Sequence, residues 1–302
     1  MKKVLITGAS GFTGQHMIGF LQGFPDLEIV GADLKPVKII RAYQTDLLDL
    51  QKTVVLVGEE KPDYIIHLAG INRAEDFRLF YQYNLFTAVN ILEAVNRHKL
   101  YETRLLFISS SAVYGRVKDN PVAESAPTAP VNFYGSSKLA MENAVLQYFY
   151  NFSLKVHIVR PFNLIGPGQE TSFVVPYFTE TISAFSSGAG PYLLKTKSLS
   201  SARDFVDVRD AVQAYWRVLT GGQPGAVYNV ASGRTIVIRD LLALIIEKVG
   251  LKDKITIEES SVQTGEIAVI SGDIKKIRKL KWTAKTDLKQ SLADIIAACK
   301  QK

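Results

Sequence analysis

The segment Val4-Leu5-Ile6-Thr7-Gly8-Ala9-Ser10-Gly11-Phe12-Thr13-Gly14 decides the fold of this 302-residue chain. Its apolar start predicts a buried strand, and a helical pattern over residues 14–21 begins where the glycines end. The Gly-x-x-Gly-x-x-Gly spacing lets the backbone approach a pyrophosphate, to which the first helical turn presents free N–H groups. Strand, loop and helix together predict a dinucleotide site. Its predicted contacts in this loop are Gly8, Ser10, Gly11, Phe12, Thr13 and Gly14.

Strands and helices alternate along the rest of the chain. The predicted strands are 29–32, 64–69, 105–108, 156–159 and 227–230, and the predicted helices include 83–96, 134–150, 207–219 and 240–249. Such alternation requires crossover connections and predicts an α/β fold, a Rossmann-like doubly wound parallel sheet with a smaller, interleaved C-terminal α/β lobe. We expect a dinucleotide-binding domain at 1–163, to which 203–232 returns. Residues 164–202 and 233–302 are expected to form the substrate lobe.

Composition and charge narrow the class of protein. The chain is 47% hydrophobic and 22% charged, which is ordinary for a globular protein. Its single cysteine, Cys299, fits a reducing compartment, and the first apolar run is too short for a signal peptide or a membrane span. We therefore expect a cytoplasmic protein without a membrane partner. The net charge of +7 lies partly at 275–281, where a solvated helix face is favoured over an anion-binding surface.

Two classes of site find no support in the sequence. Basic and aromatic residues are not interleaved as in nucleic-acid-binding proteins, so we expect no nucleic-acid partner. The four histidines, His16, His67, His98 and His157, show no metal-ligand spacing. We therefore expect no metal site, and His67 and His157 are predicted to be core residues of strands.

Acidic residues after the second strand are candidates for the adenosine side of the cofactor. Asp33 follows the loop by about 20 residues, where a carboxylate accepts hydrogen bonds from a ribose. Because a carboxylate repels a 2′-phosphate, NAD(H) is favoured, although Lys35 and Lys38 would allow NADP(H). Asp46 and Leu47 are further candidates for the adenine edge, where a helix cap is the alternative.

A second motif, Tyr134-Gly135-Ser136-Ser137-Lys138, indicates proton-transfer chemistry. Residues four apart on a helix share a face, and an ammonium beside a phenol lowers the phenolic pKa from its usual value near ~10. Tyr134 would then exchange a proton near neutral pH. A hydroxyl from the serine run 109–111 would orient a carbonyl. An exposed helical pair of Tyr134 and Lys138 is the alternative.

Together these segments resemble the extended short-chain dehydrogenase/reductase family over nearly the whole chain. The segments that carry the resemblance are 7–14, 66–70 (Ile-His-Leu-Ala-Gly), 109–115 (Ser-Ser-Ser-Ala-Val-Tyr-Gly), 134–138 and 160–163 (Arg-Pro-Phe-Asn). Within the family, segments 160–169, 173–176 and 203–210 are most similar to those of nucleotide-sugar 4-keto-6-deoxyhexose reductases. The resemblance implies NAD(P)H-dependent reduction of the C4 ketone of such a sugar. It also implies a homodimer paired through helices 83–96 and 134–150.

The resemblance also implies residue roles. Tyr134 would donate the proton, Lys138 would bind the nicotinamide ribose, and Ser110 would hold the sugar oxygen, with Ser111 as the alternative. Further cofactor contacts implied by the resemblance are Leu68, Ala69, Gly70, Asn84, Ser109 and Pro161. The implied substrate contacts are Asn163, Val174 and Arg203. A guanidinium grips phosphate bidentately, but an ion pair of Arg203 with Asp204 or Asp207 is an alternative, as is a loop-capping amide for Asn163.

Three departures from the family pattern bear on the substrate. Ser111 and Ala112 stand where dehydratases carry an acidic pair, which argues against a 4,6-dehydratase. Leu164 replaces the usual histidine of the reductases, and 263–266 lacks the arginine that holds the nucleotide. GDP, dTDP, UDP and CDP sugars therefore remain open. A 4-epimerase with tightly bound NAD⁺ and a non-catalytic dinucleotide sensor are the alternative functions.

Overall fold

The first strand is buried on both sides, as its apolar sequence requires. In the structure, a computed structural model that describes residues 1–185, 190–260 and 267–299, Val4, Leu5 and Ile6 have no exposed surface. Burial of both faces is typical of strands inside a parallel sheet. The elements in chain order are β1 (Lys2–Thr7), α1 (Phe12–Leu21), β2 (Leu27–Asp33), β3 (Arg41–Gln44), α2 (Leu50–Glu60), β4 (Tyr64–His67), α3 (Arg78–Tyr81), a π-helical turn (Gln82–Phe86), α4 (Thr87–Arg97), β5 (Arg104–Ile108), a 3₁₀ turn (Ser111–Tyr114), α5 (Phe133–Phe152), β6 (Lys155–Pro161), β7 (Asn163–Ile165), α6 (Val174–Phe185), β8 (Tyr192–Thr196), β9 (Ala202–Asp207), α7 (Val208–Gly221), β10 (Val227–Val230), β11 (Thr235–Val237), α8 (Ile238–Val249), β12 (Ile255–Glu259), β13 (Val269–Ile270), α9 (Lys275–Arg278) and α10 (Leu288–Cys299).

A seven-stranded parallel sheet contains the six strands β1 to β6 and, from later in the chain, β10. Its strand order is β10-β6-β5-β4-β1-β2-β3, and every neighbouring pair is parallel. From β1 the chain moves outward to β3 and then returns to β4 on the other side of β1. In doubly wound sheets a ligand binds at this reversal, at the carboxyl ends of the strands. The predicted doubly wound sheet is confirmed.

Helices cover both faces of this sheet. On one face α1 and α7 pack together over a core that includes Met17 and Tyr215. On the other face α2, α4 and α5 enclose a core that includes Ile91 and Met141. The side chains of Met17, Ile91 and Met141 each contribute about 1.5–3 kcal/mol by leaving water. The two cores hold the carboxyl edge of the sheet in place.

The C-terminal part adds a smaller lobe. Strand β9 pairs with β7 and β13 in parallel and with β11 antiparallel, while β8 pairs with β12. Helices α6, α8 and α10 share a third core. After β9 the chain returns to the large sheet through α7 and β10 before it enters β11, so the predicted interleaving is confirmed.

The helix predicted over 83–96 differs in detail. The structure has α3, the π-helical turn Gln82–Phe86 and α4 in succession. A π-helical turn adds one residue to the helix and is frequent at functional sites, but apolar periodicity over so few residues does not indicate it. No helix within the described ranges is long and apolar enough to cross a membrane.

Candidate active site

A pocket of about 750 Å³ lies at the carboxyl ends of β1, β2, β3 and β4. It contains the glycine loop and the N-terminus of α1, which suits an anionic pyrophosphate. Ten of the predicted cofactor residues line it: Gly8, Ser10, Gly11, Phe12, Asp33, Asp46, Leu47, Leu68, Ala69 and Gly70. Lys35, which the sequence indicated through its charge, also lines the pocket. The lining residues that the sequence did not indicate are Gln15, His16, Leu34, Pro36, Thr45, Ile71, Tyr83, Thr87, Pro167, Gly168 and Glu170.

Some of these lining residues have a sequence feature that could have indicated them, and others have none. The sequence gives Lys35 a role only through its charge, and Thr45 follows β3, a short edge strand without a fully buried residue. Alternation of apolar and polar residues over 41–44 would have been the local signal for strand β3, and so for the position of Thr45. Residues 167–170 reach the pocket from the loop after β7, which no local pattern predicts.

Two glycines allow the loop to pack closely. A Cβ at Gly8, where φ is +68°, would lie 2.7 Å from the amide nitrogen of Ala69. A Cβ at Gly14 would lie 2.3 Å from the carbonyl oxygen of Gly8. Both distances are far below contact, so these positions tolerate no side chain. Gly14 holds α1 against the loop and, like Thr13, does not line the pocket.

The glycine loop also fixes the carboxylate at the end of β2. Ser10 N donates to Asp33 Oδ2 (2.9 Å), and Lys35 N donates to Asp33 Oδ1 (3.0 Å). Asp46 also lines the pocket. The helix cap that is the alternative role for Asp46 is supplied by Asp49, whose side chain caps α2. Asp33 is thus presented beside the loop, where an adenosine ribose would meet it.

A buried hydrogen-bond chain lies under the pocket. Ala69 N donates to Thr7 Oγ1 (3.3 Å), which lies 2.8 Å from His67 Nδ1, while His67 Nε2 lies 3.3 Å from Thr87 Oγ1. Because Thr87 donates to the carbonyl of Tyr83 (2.6 Å), it accepts from His67, which is therefore protonated at Nε2. Burial, aided by the charge of Lys138, lowers the pKa of His67 to about 3. The neutral imidazole joins β1, β4 and α4.

The predicted catalytic pair lies at the start of α5. Asn132 caps this helix by accepting from the N–H of Gly135 (2.8 Å), which places Tyr134 in the first turn. Lys138 Nζ donates to the carbonyl of Ile108 at the end of β5 (2.9 Å). A Cβ at Gly70 would lie 3.3 Å from Lys138 Nζ. The ammonium therefore lies directly behind the wall of the dinucleotide pocket.

The protonation of this pair differs from the sequence-based expectation. Burial raises the pKa of Tyr134, and the Ser110 hydroxyl lowers it in part. Burial lowers the pKa of Lys138 to about 8, against the charge of Glu142. Lys138 was expected to lower the pKa of Tyr134, but its ammonium is held by a backbone carbonyl and burial of the phenol dominates. Tyr134 is thus a protonated phenol beside Ser110 at neutral pH.

Two other predicted cofactor residues are buried and do not line the pocket. Asn84 is 1% exposed; its amide accepts from Ile71 N (2.8 Å) and donates to the carbonyl of Ile71 and to Ser137 Oγ (2.9 and 3.0 Å). It therefore ties the loop after β4 to α5. Ser109 is equally buried and donates to Glu142.

The remaining predicted residues lie at the ends of strands or turns. Ser110 accepts from Ala112 N (3.1 Å) and so caps the 3₁₀ turn that begins with Ser111. Pro161 is buried at the end of β6, opposite Val230 of β10. These positions place the serine run and Pro161 at the same edge of the sheet as the pocket.

The predicted substrate residues belong to the smaller lobe. Asn163 on β7 donates to the carbonyl of Asp204 on β9 (2.9 Å), and Arg203 precedes Asp204 on that strand. Arg203 Nη1 donates to the carbonyl of Ala202 (3.0 Å). Asp204 accepts from backbone and hydroxyl groups of 232–233 and from Gly272, and Asp207 pairs with Arg209. Val174 begins α6, and residues 263–266 lie outside the described ranges.

These elements match a known family. The family model described as GDP-mannose 4,6 dehydratase matches residues 5–295. The chain belongs to this family. Its members are extended short-chain dehydrogenase/reductases, as the sequence motifs indicated, and the enzymes similar to it are NAD(P)-dependent enzymes of sugar nucleotides.

Three similar proteins are informative. GDP-6-deoxy-D-mannose reductase of Pseudomonas aeruginosa is 34% identical over 98% of this chain and 96% of its own length. The structure of RMD from Pseudomonas aeruginosa complexed with NADPH has a TM-score of 0.89 at 31% identity, covering 100% of this chain and 99% of that chain. UDP-glucose 4-epimerase of Thermus thermophilus, complexed with NAD, has a TM-score of 0.86 at 25% identity, with 99% of both chains covered. Both nicotinamide cofactors occur among similar structures.

Proposed function

We propose that this protein uses NAD(P)H to reduce the C4 ketone of a nucleotide-linked 4-keto-6-deoxyhexose. The observation that carries the proposal is the arrangement at the start of α5, where the Tyr134 hydroxyl lies beside Ser110 and Lys138, one turn further along, lies behind Gly70 of the dinucleotide pocket. A reduction needs an acid at this place, because the ketone oxygen gains a proton. The similarity to GDP-6-deoxy-D-mannose reductase over nearly the whole chain supports the same reaction and favours a GDP sugar.

The residues around the phenol of Tyr134 would each have a separate role in the reduction. A bound nicotinamide cofactor supplies the hydride to C4. The Ser110 hydroxyl holds the ketone oxygen and stabilises the negative charge that develops on it, while Tyr134 donates the proton. Lys138, whose ammonium is held by the carbonyl of Ile108 (2.9 Å), would bind the nicotinamide ribose. Ser111 is the alternative to Ser110.

Residues behind the pocket position these groups. Asn84 and Ser109 are buried and hydrogen-bonded within the chain, so we assign them supporting roles rather than direct contacts. Residues 1–162, with 208–232 returning to them, would bind the cofactor. Residues 163–207 and 233–302 would bind the nucleotide sugar, because β7 and β9 pair in the smaller lobe, whereas residue 163 and residues 203–207 were expected in the cofactor domain. The guanidinium of Arg203 and the amide of Asn163 would face the diphosphate, and Val174 the sugar.

Tyr134→Phe tests the proposal directly. Removal of the proton donor should lower kcat by about 10²–10⁴-fold, because the phenyl ring keeps the packing but has no proton to give. NADPH affinity, measured by fluorescence titration, should stay unchanged. Tyr101→Phe is a matched control, since Tyr101 is 42% exposed and lies outside the site, and it should keep full activity. Turnover retained by Tyr134→Phe would contradict the assignment.

A 4-epimerase is the second candidate. The similarity to UDP-glucose 4-epimerase complexed with NAD favours it, since an epimerase uses the same tyrosine and lysine but regenerates its NAD⁺. The two functions differ in cofactor content and consumption. Purified protein that carries stoichiometric NAD⁺ and interconverts sugar nucleotides without net NADH oxidation would replace the reductase assignment.

The proposed enzyme is a cytoplasmic homodimer. A reducing compartment suits its single cysteine, Cys299. The helices at 82–97 and 133–152 carry large apolar side chains that are exposed in one chain, which a second copy would cover. These exposed side chains are Phe86, Phe133, Tyr150 and Phe152. Light scattering should give twice the chain mass of 33.4 kDa, and a monomeric mass would overturn the dimer.

A further inference from the structure

A buried carboxylate lies one turn beyond Lys138 on α5. Glu142 follows Lys138 by four residues and Tyr134 by eight, so all three lie on one face of the helix. Its side chain is 2% exposed. Such a carboxylate is costly to bury unless it is paired, and no proposed step of the reaction uses it.

Glu142 is held by two partners from different strands. Arg160 on β6 donates to the carboxylate through Nε (2.9 Å) and Nη2 (2.6 Å). The Arg160 side chain is 6% exposed. Ser109, which follows β5, donates its hydroxyl to Glu142 Oε1. The guanidinium also lies 4.7 Å from the centre of the Tyr114 ring. The carboxylate thus joins α5, β5 and β6 at the carboxyl edge of the sheet.

Ser109 links this ion pair to the reacting groups. The residue before it, Ile108, accepts the hydrogen bond from Lys138 Nζ (2.9 Å), and the residue after it, Ser110, is the hydroxyl beside Tyr134. Ser109 N also donates to the carbonyl of Val159 (2.8 Å). A shift of Ser109 would therefore move the Ile108 carbonyl and the Ser110 hydroxyl together.

Glu142 acts electrostatically on Lys138, among the other charged and titratable groups around the two residues. Its negative charge raises the pKa of Lys138, while burial lowers that pKa to about 8. The cation facing Glu142 is Arg160, and Tyr114 packs against that cation. His67 faces Lys138 from β4 and remains neutral above its pKa of about 3. Glu142 therefore opposes desolvation and favours the charged form of Lys138.

We propose that Glu142 is a positioning residue for the reduction: through Ser109 it aligns Ser110 and the Ile108 carbonyl with α5, and its charge supports the Lys138 ammonium. This inference rests on the proposed function. The structural alternative is that the Glu142–Arg160 pair only stabilises the fold.

Glu142→Gln tests both parts of the inference, because the amide keeps an acceptor for Ser109 but loses the charge. We expect kcat to fall at least tenfold with KM for the sugar nucleotide within about twofold. Burial already lowers the pKa of Lys138 to about 8, so the alkaline limb of the kcat profile should move to lower pH in the variant, since Lys138 would lose its proton earlier without the charge of Glu142. NADPH affinity measured against pH by fluorescence should show the same shift without turnover.

Two further variants separate positioning from folding. Ser109→Ala removes one hydroxyl and leaves the ion pair intact, so kcat should fall while the alkaline limb stays where it is in the unmodified protein. Glu102→Gln removes an exposed carboxylate that pairs with Lys155, and both kcat and the limb should remain unchanged. If Glu142→Gln fails to fold, Ser109→Ala decides, and an unchanged kcat in that variant overturns the inference.

The outcomes also separate this inference from the proposed function. A shifted pH dependence of NADPH affinity in Glu142→Gln, with no reduction of any 4-keto-6-deoxy sugar nucleotide by the unmodified protein, would reject the proposed function alone. If the unmodified enzyme is active and Glu142→Gln changes the pH dependence of neither kcat nor NADPH affinity, the role of Glu142 alone would be rejected.

Discussion

Burial decides the protonation of the central residues. The spacing of Tyr134 and Lys138 predicts that they share a helix face, and the structure places both on α5. The direction of the pKa shift of Tyr134 is set instead by burial, which outweighs the lowering effect of the Ser110 hydroxyl. Desolvation disfavours both the phenolate and the ammonium. Tyr134 therefore starts as an acid, which suits a reduction.

The buried imidazole of His67 should make stability depend on pH. Its pKa is about 3 in the folded state and near ~6.5 in an unfolded chain. The unfolded chain binds a proton that the folded chain does not, so stability is lost as pH falls below that unfolded value. The loss from one such group is about 1.4 kcal/mol per pH unit.

His67→Gln should reduce this loss, because a neutral amide does not titrate. Urea unfolding at about pH 6 and about pH 4.5, both between the folded and unfolded pKa values, measures the slope. The slope should be smaller in the variant by about 1 kcal/mol per pH unit, whatever its absolute stability. His98→Gln, at an exposed position, controls for the substitution itself. Equal slopes in His67→Gln and the unmodified protein would show that His67 does not titrate as described.

At the scale of elements, the contact between the glycine loop and α1 is the tightest feature of the site. Gly14 lies in the first turn of α1, where a Cβ would collide with the carbonyl of Gly8. Gly19 lies in the same helix, but a Cβ there would meet no atom within 4 Å. The two positions form a matched pair for an alanine substitution.

Gly14→Ala should push the loop away from α1 and weaken NADPH binding at least tenfold, at a cost of about 1–3 kcal/mol in stability. Gly19→Ala should leave binding unchanged and stabilise the protein by about 0.5–1 kcal/mol, since alanine favours the helix. Fluorescence titration and urea unfolding measure the two effects. Equal NADPH affinity in both variants would contradict the close packing.

The π-helical turn is an element that only the fold explains. It places Asn84 where its amide joins the loop after β4 to Ser137 of α5. Asn84 has ordinary helical spacing in the sequence, so the family resemblance indicates the residue and the structure alone shows its buried position. The extra residue of the turn is stable because tertiary contacts satisfy the Asn84 amide.

At the scale of the whole molecule, ligand binding should be coupled to stability. A ligand that binds only the folded state adds about 2.7 kcal/mol at a concentration about 100 times its Kd. For a chain of 302 residues that corresponds to roughly 4 °C in Tm. Both parts of the site should contribute, because the smaller lobe is interleaved with the large sheet.

A thermal-shift panel tests this coupling. NADP⁺ or NAD⁺ at saturation should raise Tm by several degrees, and GDP should raise it further, more than dTDP, UDP or CDP do. The expectation for GDP rests on the similarity to GDP-6-deoxy-D-mannose reductase. Adenosine serves as a control nucleoside without phosphates. A larger shift with dTDP or UDP would reassign the substrate, and no shift with either dinucleotide would contradict the cofactor site.

The sequence by itself determined the doubly wound sheet, the dinucleotide loop, the Tyr134–Lys138 pair and the family, because these follow from local periodicity and short fixed spacings. Only the tertiary structure decided the rest of the pocket wall, the neutral state of His67, the raised pKa of Tyr134 and the link from Glu142 through Ser109. Each of these depends on burial and on side chains that are distant in sequence. Desolvation and the strength of an ion pair are properties of the packed molecule, which no local pattern encodes.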